Sequence, residues 1–421
     1  MVAQLLLRLL VLARAATGTT WYVGCGPSDA DSNAGTVPTA GWRTLARVNA
    51  ARLVGGDSVL FQRGCAWRGG YINGQGGLPG RPVTYGAFGS ADLPKPQLLG
   101  SVSPQPTDWS PVGGAAGGWL VNVSALWHRA AGNFTTAPGI TDVGNIVIGQ
   151  NGSNSAAPEP LRAAAKKWSA FELSAQDQFY FNFSTGGPAA SADALLYYHS
   201  PAGNPSTLHS TIELAIMTTE HAVIKNSNIS HVIYEDLEIK FSGADGMYGV
   251  AVRDFVVRRC DLSWIGGGCL EAGPRWHDPL ECTRFGNGIE FPDFGQDFEH
   301  LTEDVAIYDN RLSQVYDAAL SPQGDGSYIQ RNISLHHNLI TTSEYCLEIW
   351  SQGYANEVRV RRTPLCFKFR LQNDDLPRQA QDKNAGKLKK LNGAFSHRAL
   401  WRTSASSTTS VSTQAAGGRT P

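Results

Sequence analysis

The sequence has 421 residues, of which 17% are charged, and its formal net charge is −1. A chain of this length can bury a large core, either as one long domain or as two ordinary ones. The balanced charge gives no indication of a nucleic-acid partner, and 46 glycines among few charged residues favour a strand-rich protein over a helical one.

The first 15 residues form a Leu-rich run that ends in Ala13-Arg14-Ala15, the small-x-small pattern of a signal-peptidase site. Arg8 interrupts the run, so a frayed N-terminal helix is the alternative. No other run approaches the roughly 18 apolar residues of a membrane span. Triplets of the form N-x-Ser/Thr, which fit a secretory route, occur at Asn122, Asn133, Asn151, Asn182, Asn228 and Asn332. We therefore expect a secreted, monomeric glycoprotein with residues 1–15 as its signal peptide.

The cysteines are interpreted for an oxidising compartment, in which some of them pair. Cys269 and Cys282 bracket a Gly-Pro loop and are the first predicted disulfide, and Cys25 with Cys65 is the second. Two further cysteines, Cys260 and Cys346, occupy apolar strand positions, which predicts buried free thiols.

One helix is predicted near the N-terminus. The stretch Trp42 to Leu53 has apolar residues at helical spacing and stops at Gly55-Gly56, and the strand Ser58 to Gln62 follows it. A short helix at this place would cap the open end of a stack of strands.

An internal repeat determines the predicted fold. Four segments share the spacing apolar-x-apolar-x-x-x-x-apolar, and they begin at Val232, Phe255, Val305 and Ile333. Two-residue alternation, Asn after the first strand and the absence of helical periodicity favour a parallel β-helix. The alternative is a β-sandwich of hairpins, but Asp245-Gly246 and Asn287-Gly288 lack a matching strand just upstream.

Composition divides the chain further. We assign residues 19–353 to the β-helix domain, with a less regular insertion at about 150–215. Residues 359–421 carry 13 Lys and Arg against 3 Asp and Glu, lose periodicity and end in a Ser/Thr/Ala/Gly-rich run. This basic tail is predicted to be disordered or to be a misread exon.

Stretches across residues 20 to 353 resemble secreted right-handed parallel β-helix proteins of the pectin-lyase-like superfamily, especially uncharacterised carbohydrate-active members. The N-terminal likeness lies in "TWYVGCGPSDADSNAGT", "WRTLARVNAARLVGGDSVLFQRGCAWRG" and "PVTYGAFGS", and that of the central coils in "VVRRCDLSWIGGG", "GNGIEF", "SQVYDAALSPQG" and "ISLHHNLI". The resemblance implies an all-β, right-handed, single-stranded β-helix and a polysaccharide or oligosaccharide ligand. The polygalacturonase-like N-x-D, G-H-G and R-x-K set and the pectate-lyase-like W-x-D-H are missing, so the reaction does not follow from it.

Alignment of the coils on their second strand predicts a column of outward residues: Tyr248, Glu290, Ser321 and Glu348. A polar turn residue precedes each strand: Asp245, Asn287, Asp317 and Glu344. Stacking would therefore bring acids that are distant in the sequence onto one solvent-facing surface. The alternative is that they are ordinary outward polar residues and turn residues.

Paired carboxylates are the chemistry of glycoside hydrolysis. With coils about 4.8 Å apart, Glu290 and Glu348 would have backbones roughly 9.6 Å apart, and flexible side chains could reach the roughly 6.5–9.5 Å of an inverting pair. Asp317, on the coil between them, could approach the roughly 5 Å of a retaining pair. We therefore predict a glycoside hydrolase with Asp317, Glu290 and Glu348 as catalytic residues, and the substrate-binding residues are predicted to be Asp245, Asn287, Trp276, His277, Gln323 and Trp350.

Two alternatives stay open. The stretch "NGIE" resembles a calcium motif of alginate-lyase and chondroitinase B-like β-helices, which would make Glu290 and Glu348 Ca²⁺ ligands of a uronate lyase. A hydrolase requires no cofactor. A non-catalytic cell-wall or glycan-binding protein is the third interpretation.

Overall fold

The computed structural model describes residues 18–114, 117–131, 139–150, 160–182, 194–269, 284–292, 301–324, 329–351, 357–361, 369–372 and 408–412. The predicted signal peptide at 1–15, the positions Trp276, His277 and Cys282, and most of the basic tail lie outside these ranges. For Trp350 only the backbone is described.

The N-terminal region contains one short helix and six strands: β1 (Thr20–Val23), α1 (Leu45–Ala50), β2 (Ser58–Gln62), β3 (Ala66–Trp67), β4 (Ile72–Asn73), β5 (Val83–Phe88) and β6 (Gln97–Leu99). The strand predicted at Ser58 to Gln62 is confirmed. The helix is shorter than predicted at both ends. Thr44 is its N-cap, with a side chain that accepts a hydrogen bond from Arg47 N, and the backbone of Ala51 is already extended.

A second region forms two mostly antiparallel sheets with the elements β7 (Ser101–Val102), β8 (Ser110–Pro111), β9 (Gly118–Asn122), α2 (Val123–Ala131), β10 (Ile140–Gln150), β11 (Arg162–Ala163), β12 (Ala165–Lys166), β13 (Gln178–Phe181), β14 (Leu195–His199), α3 (Pro205–Leu208) and β15 (His209–Thr218). The sheet orders are β11-β10-β15-β7 and β12-β13-β14-β9-β8. A separate apolar cluster, which includes Trp109, Phe179 and Tyr198, lies among these elements. We call residues 101–218 the antiparallel unit.

The remaining strands are β16 (Ala222–Ser227), β17 (Ser230–Glu235), β18 (Glu238–Ser242), β19 (Asp245–Val250), β20 (Arg253–Arg258), β21 (Asp261–Ile265), β22 (Gly268–Cys269), β23 (Arg284–Phe285), β24 (Ile289–Phe291), β25 (Leu301–Tyr308), β26 (Arg311–Gly324), β27 (Ile329–His336), β28 (Leu339–Ile340), β29 (Ser343–Ser351), β30 (Glu357–Arg361), β31 (Phe369–Gln372) and β32 (Thr408–Ser412). Most of them belong to three ladders of parallel pairs.

The first ladder runs β1-β2-β5-β17-β20-β25-β27-β30. The second runs β3-β6-β18-β21-β26-β28, and the third runs β4-β16-β19-β24-β26-β29-β31. The long strand β26 serves both: Arg311 to Val315 pair with β21, and Leu320 to Pro322 pair with β24. The chain thus returns to each ladder after a circuit through the other two.

The repeated spacing in the sequence corresponds to these ladders. In the first ladder Val232, Phe255, Val305 and Ile333 stand opposite one another in turn. The same holds in the second ladder for Ile239, Leu262, Leu312 and Ile340. Each of these eight residues is at most 1% exposed. The repeat is therefore the inward-facing set of the stacked circuits.

Aromatic side chains continue the stacking inside the core. The rings of Tyr85 and Tyr234 are parallel, with centroids 4.9 Å apart. The centroids of Tyr234 and Phe255 are 5.6 Å apart, and those of Phe255 and Phe291 are 5.8 Å apart. Phe291 packs in the core, where it is 1% exposed.

The cysteines differ from prediction at one position. Cys25 and Cys65 form a disulfide and Cys260 is a buried free thiol, both as predicted. Cys269 is disulfide-bonded, while its predicted partner Cys282 lies outside the described residues. Cys346 is also disulfide-bonded, so the predicted free thiol there is wrong. Burial at an apolar strand position does not separate the two states, because a half-cystine is as apolar as a thiol.

Within the part of the chain that is described, none of the helices has the length and apolar character needed to cross a membrane.

Candidate active site

The third ladder has the register that the sequence predicted. Tyr248 stands opposite Glu290, and Glu290 stands opposite Ser321. Leu320 pairs with Leu347, which places Glu348 next in the same row. The row thus brings Glu290 and Glu348, 58 residues apart in the sequence, within two strands of each other.

Burial of this row contradicts the expected solvent-facing surface. Glu290 is 7% exposed, Glu348 2% and Ser321 0%. The repeat pattern shows which side of a strand faces the core, but it does not show what packs on the other side. Here the antiparallel unit contacts the turns that lead into the ladder. A Cβ atom on Gly144 of β10 would lie 2.5 Å from both Gly243 O and Gly268 N.

Two of the predicted turn residues, Asp245 and Asn287, form a second row that continues to Ala318, whereas Asp317 and Glu344 lie one position out of this register, within β26 and β29. Asp245 Oδ1 accepts a hydrogen bond from Asn287 N at 2.7 Å, and Asn287 Oδ1 accepts one from Ala318 N at 2.9 Å. Asp245 and Asn287 are 1% and 3% exposed, and Asp317 is half-buried. Asp245 therefore lies inside the protein next to Glu290, on the adjoining circuit.

Asp245 and Glu290 form a hydrogen-bonded carboxyl pair. Burial raises the pKa of Asp245 well above its ordinary value, and the charges of Glu290 and Asp317 raise it further. Burial also raises the pKa of Glu290, and Glu348 acts in the same direction, whereas hydrogen bonds from Asp245 and Asn287 oppose the rise. A hydrogen bond between two carboxyl groups requires a proton on one of them. Burial therefore favours a proton on this pair, and the two carboxyl groups titrate as a unit.

We call Asp245, Glu290, Asp317 and Glu348 the acid cluster. Sequence reasoning placed all four in two adjacent rows, but it assigned Asp245 to substrate binding and missed its pairing with Glu290. The repeat aligns strand residues with strand residues and turn residues with turn residues. It therefore does not show that Asp245, before one strand, meets Glu290 on the strand of the next circuit.

The other predicted site residues divide into two groups. The amides of Asn287 and Gln323 are engaged within the protein: Asn287 bonds Glu290 and Ala318 N, and Gln323 Nε2 donates to Ser321 Oγ at 2.6 Å. Trp276, His277 and the Trp350 side chain lie outside the described residues, so their contacts stay predictions.

The row also extends beyond the predicted column. Lys225 of β16 stands opposite Tyr248, and Asn73 of β4 stands opposite Lys225. Their circuits lack the repeated spacing, which is why the sequence pattern did not include them. Lys225 Nζ forms an ion pair with Glu220 at 2.7 Å. Since β16 pairs with β19 and β19 pairs with β24, this ammonium group belongs to a strand two positions from that of Glu290.

A calcium site at Glu290 and Glu348 remains a prediction. Among the described residues no three His, Cys, Asp or Glu side chains converge as a metal site requires. We therefore derive no step through a metal ion.

No protein-family model matches the sequence. Over 136 residues it is 33% identical to a lacto-N-biosidase of Bifidobacterium longum subsp. longum, a match that covers 31% of this chain and 8% of that protein. The chain thus spans less than a tenth of the length of this curated relative.

Similar solved structures include a complex of XylC with xylose, with a TM-score of 0.45 at 10% identity over 84% of this chain and 70% of that one. A GH136 lacto-N-biosidase from Eubacterium ramulus has a TM-score of 0.33 at 10% identity, over 86% and 58%. A rhamnogalacturonan lyase has a TM-score of 0.31 at 11% identity, over 86% of each chain.

Proposed function

We propose that this chain is a secreted, carbohydrate-active enzyme that hydrolyses glycosidic bonds at the acid cluster. The observation that carries the proposal is the buried Asp245–Glu290 pair, in which burial raises the pKa of both carboxyl groups. The local identity with a lacto-N-biosidase supports a sugar substrate. The disulfide Cys25–Cys65 and the bonded Cys269 and Cys346 support an oxidising compartment.

We also propose that the three ladders are wound as a right-handed single-stranded parallel β-helix over residues 19–353. The return of the chain to each ladder after a circuit supports the winding. Crossovers between parallel strands of one sheet are right-handed in about 98% of cases, which supports a right-handed winding of the circuits.

Glycoside hydrolysis needs one protonated carboxyl group and one ionised carboxylate. The Asp245–Glu290 pair supplies its proton to the glycosidic oxygen as the C–O bond breaks. Asp317, half-buried and on the adjoining circuit, is the ionised partner. In an inverting reaction Asp317 takes the proton of the water whose hydroxyl ends on the anomeric carbon. In a retaining reaction Asp317 forms the covalent glycosyl intermediate, and the Asp245–Glu290 pair, which has given up its proton, takes the proton of the water that releases the sugar. The negative charge of Glu348 helps to keep the pKa of Glu290 raised.

The remaining groups position these acids or contact the sugar. Asn287 donates to Glu290 and so fixes its orientation beside Asp245. Trp276 and Trp350 are the proposed aromatic faces for a sugar ring, with His277 as a polar neighbour.

The test is to incubate the secreted protein, Glu290→Gln and Asp317→Asn with neutral and uronic polysaccharides and oligosaccharides. We expect new reducing ends from the wild-type protein and a loss of roughly 10²-fold or more in each variant. Asp304→Asn is the matched control, because Asp304 is exposed and lies on the first ladder.

Each other outcome contradicts the proposal in a defined way. Full activity in both variants would exclude the acid cluster as the catalytic site. Unsaturated products in place of simple reducing ends would identify a uronate lyase, and binding without any product would identify a glycan-binding protein.

A further inference from the structure

A cavity of about 210 Å³ lies where the N-terminal strands meet helix α2, away from the acid cluster. Its walls include Arg43, Ala66, Trp67 and Arg68 from the N-terminal side and Ala130 from α2. This volume far exceeds the ~10–15 Å³ that one water molecule needs. The space beside Trp127 and His221, by contrast, is about 10 Å³, so it is too small for a ligand.

Both arginines retain unused hydrogen-bond donors. Arg43 donates through Nε to Asp29 O at 2.9 Å and through Nη2 to Gly26 O at 2.7 Å. Arg68 donates through Nη2 to Glu213 at 2.6 Å and through Nη1 to Glu213 and Ser101. Neither Arg43 Nη1 nor Arg68 Nε has an acceptor within the described residues.

The carboxylates nearby already accept hydrogen bonds from the protein. Glu213 accepts from Arg68 and from Ser101 Oγ. Asp31 accepts from Arg43 N and from Thr44 N and Oγ1. Asp29 accepts from the backbone of Gly26 and Gly41. The free donors at the cavity belong to two guanidinium groups, which favour a ligand with acceptor oxygens, above all a carboxylate.

The rest of the wall is mostly apolar, and the hydroxyl of its polar member, Thr44, donates to Asp31. Trp67 is 6% exposed and its Nε1 is used by Arg43 O, so it offers only carbon surface. A ligand that combines a carboxylate with an apolar ring face and fits about 210 Å³ is a single uronic acid residue.

We propose that this cavity is a second, non-catalytic saccharide site that binds the carboxylate of a uronic acid residue between Arg43 and Arg68. It would hold an acidic part of a glycan while the acid cluster acts elsewhere on the chain. That the carboxylate belongs to a sugar rests on the proposed function, whereas the carboxylate chemistry rests on the two arginines alone.

The experiment is isothermal titration of the full chain with trigalacturonate, its neutral counterpart galactotriose and the non-sugar carboxylate tricarballylate. The Glu290→Gln variant serves as the background, so that the probe is not cleaved. We expect trigalacturonate to bind at least tenfold more tightly than either comparison ligand, and its binding to weaken as NaCl is added. Equal binding of galactotriose would refute the carboxylate contact, and equal binding of tricarballylate would refute a saccharide site.

Blocking variants locate the binding. Ala66 is exposed and lines one wall, and Ala130 lines the other, so Ala66→Phe and Ala130→Phe should each weaken trigalacturonate binding at least tenfold. Ala125→Phe, at an exposed position of the same helix outside the cavity, should leave binding unchanged, and thermal denaturation checks that all three fold. Unaltered binding in both blocking variants would overturn the proposal. If the wild-type protein binds trigalacturonate but hydrolyses no glycan, only the proposal for the acid cluster fails. The two proposals can therefore fail separately.

Discussion

Asp245 and Glu290 lie next to each other and are both more than 90% buried, and this burial raises the pKa of both carboxyl groups. Removing both protons would leave two like charges in a poorly solvated place, which is costly. The folded state therefore binds more protons at this pair than the unfolded chain does. Stability contributed by the pair is present at acidic pH and is lost as the pH rises above the ordinary carboxyl range through the raised pKa of the folded state.

Asp245→Asn imitates the protonated carboxyl group permanently. Its Oδ1 can still accept from Asn287 N, and its Nδ2 can donate to Glu290. We expect the Tm of the variant to exceed that of the wild-type protein by an amount that grows to a few degrees as the pH rises from about 4 to about 8. Glycosidase activity should fall at the same time, a combination typical of a functional site.

The measurement is thermal denaturation of both proteins across that pH range, with Asp304→Asn as the exposed control. The control should follow the wild-type curve. A constant or shrinking Tm difference would show that Asp245 is ionised in the folded protein throughout.

Asparagines at the turn between the first and second ladders connect successive circuits. Asn310 Oδ1 accepts from Cys260 N at 2.8 Å, and Asn310 Nδ2 donates to Val257 O and to Asn338 Oδ1 at 3.0 and 2.9 Å. Asn338 Nδ2 donates in turn to Ile307 O. Both side chains are at most 1% exposed, so these bonds satisfy turn groups that water does not reach.

Asn310→Ala leaves Cys260 N without its buried acceptor and removes the side-chain donor to Val257 O and Asn338 Oδ1. We expect the free energy of unfolding to fall by roughly 2–4 kcal/mol, because more than one buried group loses its hydrogen bond. Urea denaturation measures the change. Asn73→Ala, at an exposed strand position, should stay within about 0.5 kcal/mol of wild type, and a similarly small effect at Asn310 would contradict the structural role.

At the scale of strands and helices, much of the fold could be predicted from the sequence. Inward positions such as Phe255 and Leu312 repeat with a fixed spacing, and that spacing gave the ladder register correctly. The register in turn predicted that Glu290 and Glu348 share a row. The length of α1 was not predictable from apolar spacing, because the capping hydrogen bond at Thr44 and not the pattern determines where the helix begins.

In the molecule as a whole, the antiparallel unit is joined to the parallel ladders by buried charge. Lys166 and Asp142 form an ion pair in which the side chains are 2% and 0% exposed, and Asp142 Oδ2 also accepts from Cys269 N of β22 at 2.9 Å. The partner strand of β22, β23, leads directly to Asn287 and Glu290. The ion pair lies within the antiparallel unit, and the hydrogen bond from Cys269 N to Asp142 connects this unit to the segment that carries the acid cluster.

A connection of this kind could not be predicted from the sequence. Asp142 and Cys269 are 127 residues apart, and neither belongs to a repeat. Alternation within a strand distinguishes its two faces, but a contact between separate sheets depends on tertiary packing that has no local pattern. The sequence therefore predicted the rows of the acid cluster and not the layer beside them.

Lys166→Met tests this connection. Burial already raises the pKa of Asp142 despite the neighbouring ammonium group, so without Lys166 the carboxylate must be buried unpaired or take up a proton. We expect the free energy of unfolding to fall by roughly 3–5 kcal/mol near neutral pH, and by less at acidic pH, where protonation of Asp142 is easier. The matched control is Arg129→Met, which removes the exposed ion pair with Asp108 and should cost no more than about 1 kcal/mol. Adding Asp142→Asn to Lys166→Met should recover part of the loss; a double variant no more stable than Lys166→Met would show that packing of the lysine stem, not charge, holds the two regions together.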